Sequence, residues 1–202
     1  MNFIKKNLSY HSLILLVCLS SLLISLSNYQ YIYDFEHAGI VFSNSLSLLE
    51  GKLPYKEIYI LQGFSTLFLN SIILAIFGEN LYLIYYLSAA IYSISLGLIY
   101  IIISKLSNYK NAIILLFLIF FIHPNIFLPW GNYYLFFFLL LSVFFFLDNN
   151  KTNNILSGVF VVIGALSKES FLPFYLIFLF IITIVAIYFY KNYEKKKIYN
   201  YL

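Results

Sequence analysis

The side chains that could do chemistry are concentrated in one stretch between two apolar segments near the start of the chain. Asp34, Glu36 and His37 follow the first apolar run, and Lys56 and Glu57 come some twenty positions later. Carboxylates and imidazole can accept a proton from a hydroxyl group, and lysine can bind phosphate oxygens. Because most of the remaining chain is apolar, this stretch is the predicted reaction centre.

Each of these residues also has a purely structural interpretation. Asp34 could simply cap a following helix, a role that is compatible with catalysis. Glu36 and His37 could be solvated polar residues, since adjacent side chains seldom bind one metal ion together. Lys56 could extend its stem along the membrane interface.

Two further charges, Lys168 and Glu169, interrupt a pair of apolar segments. Charges within membrane segments are costly and are functional candidates by default. The alternative interpretation is a turn between two helices in which the two side chains pair. His123, in the sequence His123-Pro124-Asn125, is typical of an interfacial loop.

Composition defines the class of protein. The chain has 202 residues, of which 62% are hydrophobic and 10% are charged. Soluble domains contain about 25% charged residues, so the sequence predicts an integral membrane protein. The net charge of +4 gives no support for nucleic-acid binding, and the single cysteine, Cys18, excludes a disulfide framework and a cysteine-based zinc site.

The apolar segments predict an all-α, polytopic bundle with about seven membrane helices. A charged start followed by an apolar run also fits a cleaved signal peptide, but an uncleaved helix over 10–29 is favoured. Segments 111–123 and 154–167 are shorter than the roughly 20 residues that a full span needs. The predicted spans are 10–29, 61–77, 81–104, 111–123, 132–147, 154–167 and 170–190.

The loop 30–60 contains a pattern typical of an amphipathic helix lying in the membrane interface. Gly51 is a plausible C-terminal cap for it. The apolar face is formed by Ala38, Val41, Phe42, Leu46 and Leu49, and the polar face by Glu36, Ser43, Ser47 and Glu50.

The topology has two solutions, and both put loop 30–60 outside the cytoplasm. If every segment crosses, the lysine-rich tail from Lys191 lies outside, against the positive-inside tendency. If 61–77 and 81–104 together cross once, that conflict disappears. The cytoplasmic lysines would then be Lys5, Lys6, Lys105, Lys110, Lys151 and those of the tail.

The stretch 34–80 resembles the N-terminal region of GT-C membrane glycosyltransferases, the group that includes enzymes like protein mannosyltransferases and lipid A aminoarabinose transferases. The likeness rests on an acid after the first span, followed by an amphipathic helix. It also rests on two sequences: Glu50-Gly51-Lys52-Leu53-Pro54-Tyr55-Lys56-Glu57, and Ile76-Phe77-Gly78-Glu79-Asn80, where the next helix ends. Further on, Gly164-Ala165-Leu166-Ser167-Lys168 and Pro129-Trp130-Gly131-Asn132 occupy positions of other family segments. Asn132 stands where many members carry an acid, and Gln62 where some carry a lysine.

The resemblance implies an inverting transfer of a sugar from a polyprenyl-phosphate donor to a lipid, glycan or protein acceptor outside the cytoplasm. It implies Asp34 as the base, assisted by Glu36. A divalent metal ion could polarise the phosphate, although no cofactor is firmly predicted. The implied substrate-binding residues are His37, Lys56, Glu57, Gln62, Asn132 and Lys168.

On this interpretation residues 1–202 form one transmembrane domain in a bacterial cytoplasmic membrane, equivalent to the N-terminal part of such an enzyme. One alternative is a non-catalytic component of surface polysaccharide synthesis, such as a carrier or flippase subunit. A shortened or inactive relative of the family is a third interpretation.

Overall fold

A computed structural model of the chain describes residues 2–28, 35–122, 130–147 and 150–171, together with positions 173 and 177. These residues are helical with no β-strand, so the predicted all-α class is confirmed for the described part. The helices are α1 (Asn2–Asn28), α2 (Phe35–Leu49), α3 (Phe64–Phe77), α4 (Leu81–Leu106), α5 (Tyr109–Ile122), α6 (Gly131–Phe146) and α7 (Lys151–Ser167).

The chain divides into two compact units, residues 1–168 and residues 169–202. The first unit contains all seven helices. In the second unit, Glu169–Phe171 forms a 3-10 turn, and most of the predicted span 170–190 lies outside the described residues. The interpretation of 1–202 as one transmembrane domain stays a prediction.

Local capping sets several helix boundaries. The side chain of Asn80 accepts a hydrogen bond from the Tyr82 N–H, and that of Asn150 from the Asn153 N–H. Gly51 has a φ of 85°, and the backbone around it donates from Gly51 to Leu48 and from Lys52 to Ser47. These two bonds form the Schellman motif that ends α2, as the sequence predicted.

The long helix α4 is the central element of the first unit. It packs against α1, α2, α3, α5 and α6. Among the described helices it is the one long and apolar enough to cross a membrane, and 61% of its most apolar window is buried in the protein. Shorter apolar helices cover 12–27, 64–77, 109–122 and 131–146.

The apolar face of α2 is covered by protein. Ala38 and Val41 are buried against Leu74 of α3 and against Ile84 and Tyr85 of α4. The predicted helix and its face are therefore present, but neighbouring helices occupy the side that we expected to meet the membrane interface.

Polar side chains are buried between the helices while large apolar side chains face outward. Tyr134 of α6 donates to Asn70 Oδ1 of α3 at 2.7 Å, and its hydroxyl lies 3.4 Å from Ser88 Oγ of α4. Ser142 of α6 and Ser157 of α7 are in hydrogen-bond contact at 3.0 Å. Apolar residues that are more than half exposed include Leu15, Leu16, Leu23, Ile76, Phe77, Phe121, Ile122, Phe146 and Val162.

The two ends of α6 define the path of α3 and α4. Gln62 contacts Gly131 at the start of α6, whereas the Lys105 ammonium lies 4.7 Å from the centroid of the Phe144 ring in its last turn. Residues 62–105 therefore run from one end of α6 to the other, a distance of about 20 Å at 1.5 Å per residue. The number of membrane crossings that α3 and α4 make stays a prediction.

Candidate functional site

Three chain segments approach one another at backbone distance where α3 and α6 begin and α7 ends. A Cβ atom on Gly63 would lie 2.6 Å from the carbonyl oxygen of Ser167, and one on Gly131 would overlap the carbonyl oxygens of Ser167 and Gln62. Thr66 Oγ1 donates to the same Ser167 oxygen at 3.0 Å. Glycine is required at both positions because any side chain would separate these segments.

Gln62 connects two of the segments at this junction, the stretch before α3 and the start of α6. The Gly131 N–H donates to Gln62 Oε1 at 2.9 Å, so the side-chain oxygen caps the first turn of α6. Because a backbone N–H can only donate, the atom facing it must be the amide oxygen. Gln62 also lines the cavity beside this junction.

A cavity of about 290 Å³ opens next to the junction. It is lined by His37 from the first turn of α2, Trp130 and Asn132 at the start of α6, and Lys168 after the end of α7, together with Leu61 and Gln62. Four of the predicted substrate-binding residues, namely His37, Gln62, Asn132 and Lys168, thus share one cavity although they lie far apart in the sequence.

Several polar groups in this wall are not used by the protein. Within the described residues, the Lys168 ammonium, the Asn132 amide and the Trp130 indole N–H make no hydrogen bond or ion pair. Lys168 also lies at the C-terminus of α7, where a cation is favoured by the helix dipole. The unpaired groups of the lining residues are therefore a cation, an indole N–H donor and an amide that can both donate and accept.

This set of groups suits an anion. None of the described residues lining the cavity is a carboxylate. Ammonium and amide donors bind phosphate oxygens through charge-assisted hydrogen bonds. The positive end of the α6 dipole and the negative end of the α7 dipole lie side by side here, so the charge of this wall comes from Lys168.

Lys56 and Glu57 lie elsewhere, on an exposed turn. Glu57 Oε2 accepts from the Leu53 N–H at 2.7 Å, and the Leu53 carbonyl accepts from the Glu57 N–H at 2.9 Å. Both residues are exposed, and neither lines the cavity. The structure gives Glu57 a role in closing the turn and does not bring Lys56 to the other predicted binding residues.

Asp34, like His123, lies outside the described residues. Glu36 is in the first turn of α2, next to His37, and its side chain also lies outside the described part. Within the described residues no group of three His, Cys, Asp or Glu side chains comes together. The catalytic role of Asp34 and Glu36 and the binding of a divalent metal ion stay predictions.

Sequence reasoning missed Trp130, Gly63 and Gly131 as parts of the site. Trp130 is the only tryptophan in the chain and directly precedes an apolar segment, which is a signal that could have been used. The two glycines carry no such signal because their partners lie 36 to 104 positions away in the sequence.

Comparison of the chain with models of known protein families, with curated proteins and with solved structures finds no match in any of the three.

Proposed function

We propose that the chain is a polytopic membrane protein that binds a polyprenyl-phosphate sugar at the cavity and transfers the sugar to an acceptor outside the cytoplasm. The observation that carries the proposal is the convergence of His37, Gln62, Asn132 and Lys168 on one cavity. The Lys168 ammonium would bind the lipid phosphate. Leu61, which is 38% exposed, gives the same wall an apolar part for the start of the prenyl chain.

The transfer would proceed by one displacement at the anomeric carbon. The acceptor oxygen forms the new bond to that carbon while the bond to the phosphate oxygen breaks, and polyprenyl phosphate leaves with the electron pair. Asp34, three positions before His37 in the sequence, would take the acceptor proton, with Glu36 assisting. Inversion of the sugar follows from the single displacement.

The distribution of polar and apolar side chains supports a membrane location with several spans. Serine and other small side chains at helix contacts, together with outward-facing Leu, Ile and Phe, are typical of helix packing in lipid. An exposed apolar surface of this extent would cause aggregation of a soluble monomer. The helices shorter than about 20 residues would tilt little or thin the bilayer locally.

The lysines favour an orientation with the cavity outside the cytoplasm. Lys105 and Lys110 flank the short link between α4 and α5, and Lys151 begins α7, all at the end of α6 opposite the cavity. Lys5 and Lys6 lie near the start of α1, about 34 Å along that helix from its last residue, Asn28. With these five lysines on the inner side, the arrangement follows the positive-inside rule.

The test of the proposal is lipid binding by the full chain in nanodiscs. Replacing Lys168 by Gln should weaken binding of polyprenyl phosphate by about tenfold or more, since a hydrogen bond to a charged group contributes about 1.5–3 kcal/mol. Lys110→Gln is the matched control, because Lys110 is exposed on α5 and remote from the cavity. Equal affinities for the two variants would contradict a phosphate site at Lys168.

Asp34→Asn separates the enzyme from the non-catalytic alternative. In an enzyme this change should abolish sugar transfer while lipid binding and membrane insertion remain, because the amide cannot accept the acceptor proton. A carrier or assembly factor would keep its cellular activity with asparagine at this position. Transfer at the wild-type rate by the Asp34→Asn protein would exclude Asp34 as the base.

A further inference from the structure

We infer that Trp130 is the residue that recognises the sugar ring, and that the cavity therefore selects a sugar-bearing lipid phosphate over the bare lipid phosphate. This inference rests on the proposed function, because it assigns the sugar part of the same site. It goes beyond that function by separating recognition of the sugar from recognition of the phosphate.

The indole of Trp130 is available to a ligand. Trp130 is half-buried at the position preceding α6 and lines the cavity together with Asn132. No aromatic ring of the described residues stacks on it, and its N–H has no hydrogen-bond partner among them. Its backbone is held, since the Trp130 carbonyl accepts from the Tyr133 N–H at 3.1 Å. An indole that lines the cavity on a backbone held in this way can pack against a ring-shaped ligand.

The chemistry of this wall fits a sugar. The C–H groups on one side of a pyranose ring carry a small positive charge and pack on the negative face of an aromatic ring. Amide groups such as those of Asn132 and Gln62 can pair with sugar hydroxyls, which both donate and accept. Lys168 supplies the charge that the phosphate requires, so the two parts of the ligand meet different residues of one cavity.

The size of the cavity supports the same assignment. Its volume of about 290 Å³ is close to the lower limit of ligand pockets, which is about 300 Å³. This is space for one sugar ring and a phosphate group. A longer glycan would extend out of the cavity.

The experiment measures binding of two probes to the full chain in nanodiscs: a polyprenyl phosphate, and the same lipid phosphate carrying glucose, mannose or galactose. The wild-type protein should bind at least one sugar-bearing probe more tightly than the bare lipid phosphate. Trp130→Ala should reduce affinity for that probe about fivefold or more, with little effect on the bare lipid phosphate. Trp130→Phe should restore most of the preference, because it keeps an aromatic face.

A second measurement does not depend on any variant. Because Trp130 is the only tryptophan of the chain, tryptophan emission of the wild-type protein should change more with the sugar-bearing probe than with the bare lipid phosphate. Identical emission changes, or an equal loss of affinity for both probes in Trp130→Ala, would overturn the inference and leave phosphate binding intact. Failure of the wild-type protein to bind either probe would overturn the proposed function as well.

Discussion

At the scale of single residues, the site depends on two glycines, Gly63 and Gly131, where a side chain would not fit. Gly131 lies so close to the carbonyl oxygens of Ser167 and Gln62 that one added methyl group would overlap backbone on both sides. Backbone cannot move aside as a flexible side chain can. The close approach brings Trp130 and Asn132, on either side of Gly131, to the same wall as Gln62 and Lys168.

We therefore predict that Gly131→Ala destabilises the protein by about 1–3 kcal/mol, the usual cost of overpacking, and reduces binding of polyprenyl phosphate. Gly158→Ala is the matched control, because Gly158 lies inside α7 with no atom within 4 Å of the added methyl group. This control should be neutral or more stable by about 0.5–1 kcal/mol, since alanine favours the helix. Thermal unfolding in detergent, followed by size-exclusion chromatography, would measure both. Equal stability of the two variants would contradict a close-packed junction at Gly131.

At the scale of elements, α6 and α7 form a closely packed pair of helices. Ser142 and Ser157 meet at 3.0 Å, and both are buried. On the flank of this contact, the Phe145 and Phe160 rings stack with centroids 5.4 Å apart. Small residues at the contact let the helices approach closely, and the pair holds Asn132 and Lys168 at one end.

Replacing Ser157 by Leu should force the two helices apart and destabilise the protein by about 1–3 kcal/mol. Val159→Leu is the control, since it introduces the same side chain two positions away at a residue that is 47% exposed. Resistance to unfolding by sodium dodecyl sulfate, measured by loss of helical circular dichroism, would compare the two. A Ser157→Leu protein as resistant as Val159→Leu would show that the serine contact is dispensable.

At the scale of the whole molecule, the proposed orientation in the membrane rests on which helix ends lie at each end of α6. The cavity is formed by the starts of α2 and α6, the end of α7 and the stretch before α3. The link between α4 and α5 lies near the other end of α6. Under the proposed multi-span arrangement, one side of the bilayer should therefore meet the cavity and the other side should meet Lys110.

Cysteine labelling in intact bacterial cells would test this orientation. In a Cys18→Ala background, Tyr59→Cys should react with a membrane-impermeant maleimide, because Tyr59 is 79% exposed in the loop that leads to the cavity. Lys110→Cys should react only after the cells are permeabilised. The reversed pattern would place the cavity in the cytoplasm, and labelling of both in intact cells would contradict a crossing between them.

The sequence by itself determined the helices and their ends. The features that set them are local: apolar runs of helix length, the caps Asn80 and Asn150, and Gly51 in the left-handed region. The predicted segments therefore agree with α1 and α3 to α7 within a few residues at most ends. The exception is α1, which begins eight positions earlier than predicted. The apolar face of α2 was also visible in the sequence, because helical periodicity is encoded in neighbouring residues.

Only the tertiary structure decided which residues meet. The bond from Gly131 to Gln62 spans 69 positions and the bond from Thr66 to Ser167 spans 101, and no local pattern specifies such pairs. The same long-range packing covered α2 with α3 and α4, brought Lys168 to the cavity, and left Lys56 on an exposed turn. Helix formation depends on residues within a few positions of one another, whereas the cavity depends on how close distant backbones can approach.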